Sequence, residues 1–242
     1  MSFRKEVKTF AKARLREQYG VLLAAILLVL APVYLPLIPN WCFQLMSNML
    51  SVFSESPSLI ASRPLNILQG AFGMLSMTAS VFFLPFLGCG IAKLSLVAAR
   101  RQRIDPLIPY REGARGYGRK LCGILLMELF VFLWSLLLIV PGIIKAYSYR
   151  FVPYLLAEHP ELTPREALNL SELMTNGVKG DLFVFDLSFL GWMIGTSVFP
   201  LLAIYVLPYK MVADATLYES IKANALRSGR ITEQHFTPAR AF

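Results

Sequence analysis

The sequence predicts an all-α protein, a polytopic transmembrane helical bundle that forms one membrane domain over residues 1–242. Hydrophobic residues make up 56% of the chain and charged residues 16%, whereas charged residues are roughly 25% of an ordinary soluble domain. The mean hydropathy is +0.55. Several apolar runs approach the roughly 20 residues that a helix needs to cross a bilayer. We therefore predict about six spans with amphipathic surface helices, and four spans as the alternative.

Residues 1–19 have the pattern of a basic amphipathic helix. Its apolar residues recur at every fourth position, with basic residues around them: Phe3, Val7, Ala11 and Leu15, among Arg4, Lys5, Lys8, Lys12, Arg14 and Arg16. This pattern suits an anionic membrane face. We expect Tyr19-Gly20 to end the helix and the uncharged residues 21–39 to form the first span. Because that run lacks a small-residue cleavage site, we expect it to be retained rather than removed as a signal peptide.

The second span is predicted over residues 65–99, a long apolar run that is tilted if it stays helical throughout. The loop that follows carries the densest positive charge of the chain. Its basic residues, opposed only by Asp105 and Glu112, are Arg100, Arg101, Arg103, Arg111, Arg115, Arg119 and Lys120. By the positive-inside rule this loop is cytoplasmic.

The third span is predicted over residues 121–140, where Pro141-Gly142 interrupts the apolar run. Proline lacks the N–H of a helix interior, and glycine tolerates turn geometry. Residues 142–157 then have two interpretations. If the chain turns at Pro141-Gly142, this segment crosses the membrane again as a fourth span; if not, it is an interfacial helix at the outer face.

Residues 163–176 are predicted to form a short surface helix. Thr163 and Glu166 have the spacing of a capping box, Pro164 occupies the first helical position, and Asn176-Gly177 ends the pattern. At this length the helix is too short to cross a bilayer and is expected on the membrane surface or on the protein. Residues 181–197 and 198–226 are the last two candidate spans.

A weak internal repeat bears on the number of spans. Three sites combine a basic or amphipathic stretch, a glycine and an apolar run, and they begin at Arg16, Gly116 and Asn176. Three such units predict six spans with the N- and C-termini in the cytoplasm. The segment from His159 to Lys179 weakens this prediction. Its basic residues are balanced by acidic residues, so the positive-inside rule does not mark it as cytoplasmic, and a four-span topology would place it outside.

Ionisable side chains within the predicted spans form a candidate intramembrane polar network. Such groups are costly at mid-bilayer and normally pair or face a cavity. The candidate residues are Glu128, Tyr147, Arg150, Tyr154, Asp186, Lys210 and Asp214. Lys210 and Asp214 are four residues apart on one helix face, which Tyr218 continues. The network predicts either charge pairs that fix the helices relative to one another or a polar pathway for a lipid or solute.

Motifs of enzymes and cofactor sites are missing from the sequence. It has no HExxH, GxSxG, P-loop or GxGxxG pattern, so we expect no enzyme, no catalytic residue and no cofactor. The three cysteines and two histidines have no metal-ligand spacing, so no metal is expected. We interpret Glu158-His159 as a loop end rather than an acid–base pair. The excess of basic residues does not predict nucleic-acid binding, because no aromatic residues are interleaved on a basic face.

Several motifs together resemble a bacterial family of multi-spanning integral membrane proteins without an assigned function. They are PGIIKAYSYRFVPYLLAEHP at residues 141–160, S-x-x-M at 171–174, G-x-K at 177–179, LSFLGW at 187–192 and PY at 208–209. The family often has a histidine where Val178 stands. The resemblance implies the bacterial cytoplasmic membrane and a multi-pass topology, and it implies no substrate.

These features predict a non-enzymatic membrane component. Its expected partners are the lipid bilayer, anionic lipid head groups and other, unidentified membrane or envelope proteins. A small transporter or permease for a solute or lipid is the alternative, which the polar network favours.

Overall fold

The computed structural model describes residues 3–34, 41–42, 44–46, 48–49 and 59–236. These residues form helices and connecting turns, and they contain no strand. The α-helices are α1 (Phe3–Tyr34), α2 (Leu59–Ala99), α3 (Ile108–Ala114), α4 (Tyr117–Leu137), α5 (Ile139–Ser148), α6 (Val152–Glu158), α7 (Pro164–Thr175), α8 (Lys179–Val198) and α9 (Ala203–Arg227). Short 3-10 helices cover Pro200–Leu202 and Glu233–Phe236.

The chain divides into two compact units. One contains Met1–Ile26 with Pro85–Phe242, and the other contains Leu27–Leu84. In the smaller unit the described side chains of Ile67 and Met74 are 72% and 75% exposed. All contacts discussed below lie within the larger unit.

Helix α1 runs from Phe3 to Tyr34 as two helices joined at a kink at Gln18, one residue before the predicted helix end at Tyr19-Gly20. The Gln18 side chain explains how this kink is held: its amide nitrogen donates to the carbonyl of Gln102, and its oxygen accepts from the Ile104 N–H, both at 3.3 Å. Of the predicted apolar face, Val7, Ala11 and Leu15 are buried within the protein itself. Residues 35–39 of the predicted first span lie outside the described residues.

The predicted second span, 65–99, lies within α2, a continuous helix of 41 residues that begins at Leu59. Its last part from Leu87 is largely buried, with Cys89 and Ala92 in the core. Ile124, Val152 and Ala167 pack in the same core cluster. The apolar residues near the end of α2 thus contribute to a protein core.

Helices α4 and α5 form an antiparallel hairpin whose turn differs from the prediction. The chain reverses at Leu138, which is extended, whereas Pro141-Gly142 lie inside the first turn of α5. Proline is tolerated there because the first N–H groups of a helix have no partner within the helix. Gly142 is buried against Ser135 of α4, and an added Cβ would overlap with that residue. The glycine therefore permits close packing of the two helices rather than making the turn.

Residues 142–157 do not form the single helix that was predicted. Tyr149, Arg150 and Phe151 separate α5, of 10 residues, from α6, of 7 residues. At 1.5 Å per residue these helices are about 15 Å and about 10 Å long, so neither crosses a hydrocarbon core of about 30 Å alone.

Helix α7 contains the capping box that the sequence indicates. The Glu166 N–H donates to the Thr163 hydroxyl, and the Glu166 carboxylate accepts from the Thr163 N–H. Half of the helix is buried against its neighbours, in particular α4 and α6. The helix therefore packs on the protein, which is one of the two positions expected for it. Gly177, with a φ of +79°, follows its end in the left-handed conformation that glycine adopts readily.

Helices α8 and α9 form the second hairpin. Helix α8 contains the whole of predicted span 181–197, and the chain turns at Phe199 and Pro200. Helix α9 begins at Ala203, five residues after the start of predicted span 198–226, and includes Pro208 in its interior. Ring contacts between Phe189 and Tyr209, with centroids 5.4 Å apart, join the two helices.

Both hairpins have an uncovered apolar end. No residue from 125 to 141 is buried, and no described side chain from 190 to 205 is buried. We call these two segments the apolar hairpin ends. Their most exposed residues include Leu136 at 77% and Leu201 at 81%. The buried residues of α4, α5, α8 and α9 lie outside these segments, so the core is formed at the other end of each hairpin.

Candidate functional site

The break between α5 and α6 places Arg150 beside two other helices. Pro153 has no N–H to donate to the carbonyl of Tyr149, and proline also disfavours helical angles at the preceding residue. Helix α7 satisfies the groups that the break leaves free. The Ser171 hydroxyl donates to the Ser148 carbonyl at 2.7 Å and accepts from the Phe151 N–H at 3.3 Å. Ser171 is fully buried, so this support is shielded from solvent.

Arg150 is the centre of a cluster of four charged side chains. Its guanidinium binds both carboxylate oxygens of Asp186 on α8, with 2.9 Å between Nη2 and Oδ1. The same Nη2 lies 2.9 Å from Oδ1 of Asp214 on α9. Bidentate pairs of this kind are among the stronger charge-assisted hydrogen bonds.

Lys210 completes the cluster from α9. Its ammonium lies 3.0 Å from Asp186 and 2.6 Å from Asp214. Two basic and two acidic side chains therefore neutralise one another. Between 16% and 31% of each side chain is exposed, so the group is partly screened from solvent by the protein.

Aromatic rings surround this cluster. The Tyr147 hydroxyl donates to Asp186 at 3.1 Å, and the Tyr147 ring lies 5.9 Å from the Arg150 guanidinium carbon. Lys210 lies 5.5 Å and 5.3 Å from the rings of Phe185 and Phe189. These distances are within the range of cation–π attraction.

Tyr154 and Tyr218 form the next contact between α6 and α9. Their rings are stacked with centroids 5.2 Å apart, and Phe151 packs edge-on against Tyr218 at 5.5 Å. Tyr218 is fully buried. These rings lie between the Arg150 cluster and a second group of charges, which the sequence analysis did not identify.

That second group is centred on Glu158, the last residue of α6. Its carboxylate accepts from the Tyr218 hydroxyl at 2.7 Å and from Lys222 at 2.8 Å, and it pairs with Arg100. Arg100 also binds Glu219 at 2.7 Å. Burial alone would raise the pKa of Glu158, but the hydrogen bonds from Lys222, Arg100 and Tyr218 outweigh it and lower the pKa to about 2.

The contacts between α6 and α9 follow a regular spacing. Arg150, Tyr154 and Glu158 are four residues apart, as are Asp214, Tyr218 and Lys222 on α9. Arg150 pairs with Asp214, Tyr154 with Tyr218, and Glu158 with Lys222. We call these three pairs the ladder. In the first ion pair the basic residue, Arg150, lies just before α6, and in the second the acidic residue, Glu158, ends α6. Because the order of the charges is reversed between the two pairs, they fix the axial position of α6 relative to α9.

His159 borders the ladder without a complete set of hydrogen bonds. Its ring lies 4.8 Å from Phe236, and its buried Nε2 has no hydrogen-bond partner among the described residues. Burial and the nearby charge of Lys222 lower its pKa. This shift favours the neutral form of the imidazole.

Glu128 is not part of this arrangement. Its side chain on α4 is exposed and has no hydrogen bond or ion pair with any residue that the structure describes. The other six candidate residues, Tyr147, Arg150, Tyr154, Asp186, Lys210 and Asp214, lie together in the Arg150 cluster or the ladder. Over the described part of the chain, no three His, Cys, Asp or Glu residues are placed to hold a metal ion.

In its described residues, the protein is thus an all-helical chain with paired charges near the core and two apolar hairpin ends. Two helices, Tyr117–Leu137 and Lys179–Val198, are long and apolar enough to cross a membrane, by length and composition. They are the first helix of each hairpin.

Residues 136–225 match a protein family described as "Protein of unknown function (DUF975)". The matched segment runs from the end of α4 into α9 and contains the Arg150 cluster and the ladder. The match is consistent with an uncharacterised family. Comparisons with curated proteins and with solved structures gave no match.

Proposed function

We propose that this chain is a multi-pass, non-enzymatic component of the bacterial cytoplasmic membrane that interacts with lipid and with envelope proteins. The observation that supports it is the exposure of both apolar hairpin ends. Monomeric soluble proteins rarely expose contiguous apolar patches larger than a few hundred Å². Ile139, Val198 and Leu201 are 76%, 65% and 81% exposed, and acyl chains of the bilayer are the environment that suits them.

The contacts at the other end of the first hairpin support six spans over four. Arg100 pairs with Glu158, and Arg119 donates to the Glu161 carbonyl at 3.4 Å. The basic loop at 100–120 therefore lies beside the acidic residues that follow α6. If the basic loop is cytoplasmic, the segment from His159 to Lys179 and both termini share that side.

Cysteine labelling tests this topology. We expect Asn169→Cys, in a chain without Cys42 and Cys122, to resist a membrane-impermeant thiol reagent in intact spheroplasts and to react after permeabilisation. Leu201→Cys, in the turn between α8 and α9, is the matched probe, and we expect it on the opposite side of the membrane. Labelling of the Asn169→Cys variant from outside would contradict six spans, and recovery of the chain in the aqueous fraction would contradict the membrane location.

A transporter or permease is the second candidate, because charged side chains of three helical segments meet at Arg150, Asp186, Lys210 and Asp214. Each of these charges is paired, which favours a structural role. Replacing Arg150 or Asp214 by Ala distinguishes the two. Loss of folded protein in both variants supports the structural role, whereas normal folding with altered solute flux supports transport.

A further inference from the structure

A groove lies between α4 and the beginning of α7. Its volume is about 660 Å³, and it is lined by Cys122, Leu125, Leu126, Leu129, Thr163, Pro164 and Arg165. Most of these side chains are apolar. Leu125 and Leu129 are 39% and 52% exposed, and they begin the first apolar hairpin end. The groove therefore extends from the N-terminus of α7 along α4 towards the apolar turn of the hairpin.

Positive charge is found at one end of this groove. Arg165 is exposed and forms no ion pair or hydrogen bond with another described residue. The carboxylate of the neighbouring Glu166 is occupied by the capping box, where it accepts from the Thr163 N–H at 2.8 Å. Arg119, one helical turn before Cys122, adds a second guanidinium that donates only to a backbone carbonyl, at 3.4 Å.

The combination of a cation at one end and apolar walls at the other is complementary to a phospholipid. A phosphate attracts Arg165, because arginine matches phosphate oxygens in charge and geometry. An acyl chain along Leu125 and Leu129 covers apolar surface that is otherwise exposed. The volume lies within the usual range of roughly 300 to 1,000 Å³ for small-molecule sites.

We propose that this groove binds one anionic phospholipid, with its phosphate at Arg165 and an acyl chain against Leu125 and Leu129. The site rests on the proposed function, since it requires the apolar hairpin ends to be in a bilayer. It adds a specific lipid position, with a defined head-group contact, to a general affinity for the membrane.

A label beside the groove allows the site to be tested in the full-length chain. A small fluorophore is attached to Glu128→Cys, which is exposed on α4 next to Leu129 but does not line the groove, in a Cys42→Ser, Cys122→Ser background where the remaining Cys89 is buried. The protein is placed in phosphatidylcholine vesicles that contain an equal mole fraction of brominated phosphatidylglycerol or brominated phosphatidylcholine. We expect quenching to indicate a preference of about fivefold for the anionic lipid, the factor that one interfacial basic residue supplies.

A second labelled position separates the possible results. Ile143 on α5 is 46% exposed and belongs to the same hairpin, so Ile143→Cys in the same background reports contact with bulk lipid. Quenching at position 143 by both lipids alike, with anionic preference only at position 128, supports the site. Quenching at both positions without preference overturns the site and leaves the proposed function intact. Absence of quenching at both positions overturns the proposed function as well.

Lipid retention by the unlabelled protein provides an independent measurement. We expect Arg165→Ala to reduce phosphatidylglycerol co-purified with the protein, measured by native mass spectrometry, by about fivefold. Leu129→Trp should reduce it too, by filling the groove. Arg111→Ala is the matched control, since the Arg111 side chain is 64% exposed and pairs with Asp105. Equal retention in the Arg165→Ala and Arg111→Ala variants would refute the proposed contact.

Discussion

At the scale of single residues, Glu158 lies outside the predicted spans and is held by three other side chains. It receives hydrogen bonds from Tyr218 and Lys222 and pairs with Arg100. A carboxylate whose pKa is lower in the folded state stabilises that state only while it is ionised. Glu158 thus couples the stability of the contact between α6 and α9 to pH.

The pH dependence of unfolding tests this coupling. The pKa of Glu158 falls from its ordinary value of 4.5 to about 2 on folding, so its contribution is complete above pH 4.5 and is lost as the pH falls towards 2. We expect the wild-type protein in detergent to lose stability across this interval. In the Glu158→Gln variant the decrease from about pH 5 to about pH 3 should be smaller than in the wild type, because this carboxylate no longer has to be protonated.

A neighbouring carboxylate provides the control for that experiment. The Glu161 side chain is 44% exposed, compared with 13% for Glu158. Solvent screens its interactions more strongly, so Glu161→Gln should keep a pH dependence close to that of the wild type. Equal slopes for the Glu158→Gln variant and the wild type would show that the ladder does not depend on this ionised carboxylate.

At the scale of helices, the two hairpins depend on close backbone contacts as well as on apolar composition. Gly142 packs against Ser135 near the turn of the first hairpin, and Gly123 packs against Leu156 further along it. A Cβ at Gly142 would overlap with the backbone of Ser135, whereas a Cβ at Gly123 would meet only the flexible end of the Leu156 side chain. Glycine at position 142 therefore sets the distance between α4 and α5.

Alanine substitution at Gly142 tests this role. The added Cβ overlaps with the backbone and side chain of Ser135, and overpacking of this kind typically costs about 1 to 3 kcal/mol. We expect Gly142→Ala to lower the free energy of unfolding by that amount, measured by thermal or denaturant unfolding in detergent.

Gly191→Ala on α8 is the matched control, because nothing lies within 4 Å of the new Cβ. It should be neutral or slightly stabilising, since alanine is the better helix former. Similar losses in both variants would contradict the packing argument.

The sequence predicted the helical elements better than it predicted their ends. The capping box at Thr163 and Glu166 is local, so the residues in one turn determine it. The turn at Leu138 is different, because the backbone reverses where α4 and α5 pack best, and the proline nearby only has to be compatible with a first helical turn. Gln18 likewise kinks α1 through hydrogen bonds to residues more than eighty positions away.

The same reasoning applies to the charged site. Spacing of four residues was enough to place Lys210 beside Asp214 and to align Arg150 with Tyr154, and the structure brings these residues together. Glu158 continues that spacing, but its position at a helix end, two residues before Pro160, concealed it. Its partners Arg100 and Lys222 come from distant parts of the chain, and only the fold places them there.

At the scale of the whole molecule, the larger unit separates most of its charge from its apolar surface, and the apolar hairpin ends contain one charged residue, Glu128. The paired charges of the ladder lie among buried residues, whereas the apolar hairpin ends are uncovered. A chain with this distribution is stable when the hairpin ends are in hydrocarbon and the ladder is shielded by protein. The cost of misplacing a charge should therefore depend strongly on which part of the molecule receives it.

Arginine substitutions at exposed apolar positions test that dependence. Leu133 and Ile194 lie in the two apolar hairpin ends and are 52% and 58% exposed, and Leu107, before α3, is 53% exposed. In water these substitutions would be nearly equivalent, because each side chain is on the surface. In a bilayer, arginine in a span costs about 2.5 to 3.5 kcal/mol on insertion scales. Leu133→Arg and Ile194→Arg should therefore each reduce the amount of protein that stays in the membrane after alkaline extraction by up to roughly 100-fold. Leu107→Arg should behave as the wild type, because it adds one more cation to a basic loop. Equal yields from all three variants would mean that the hairpin ends are covered by something other than lipid.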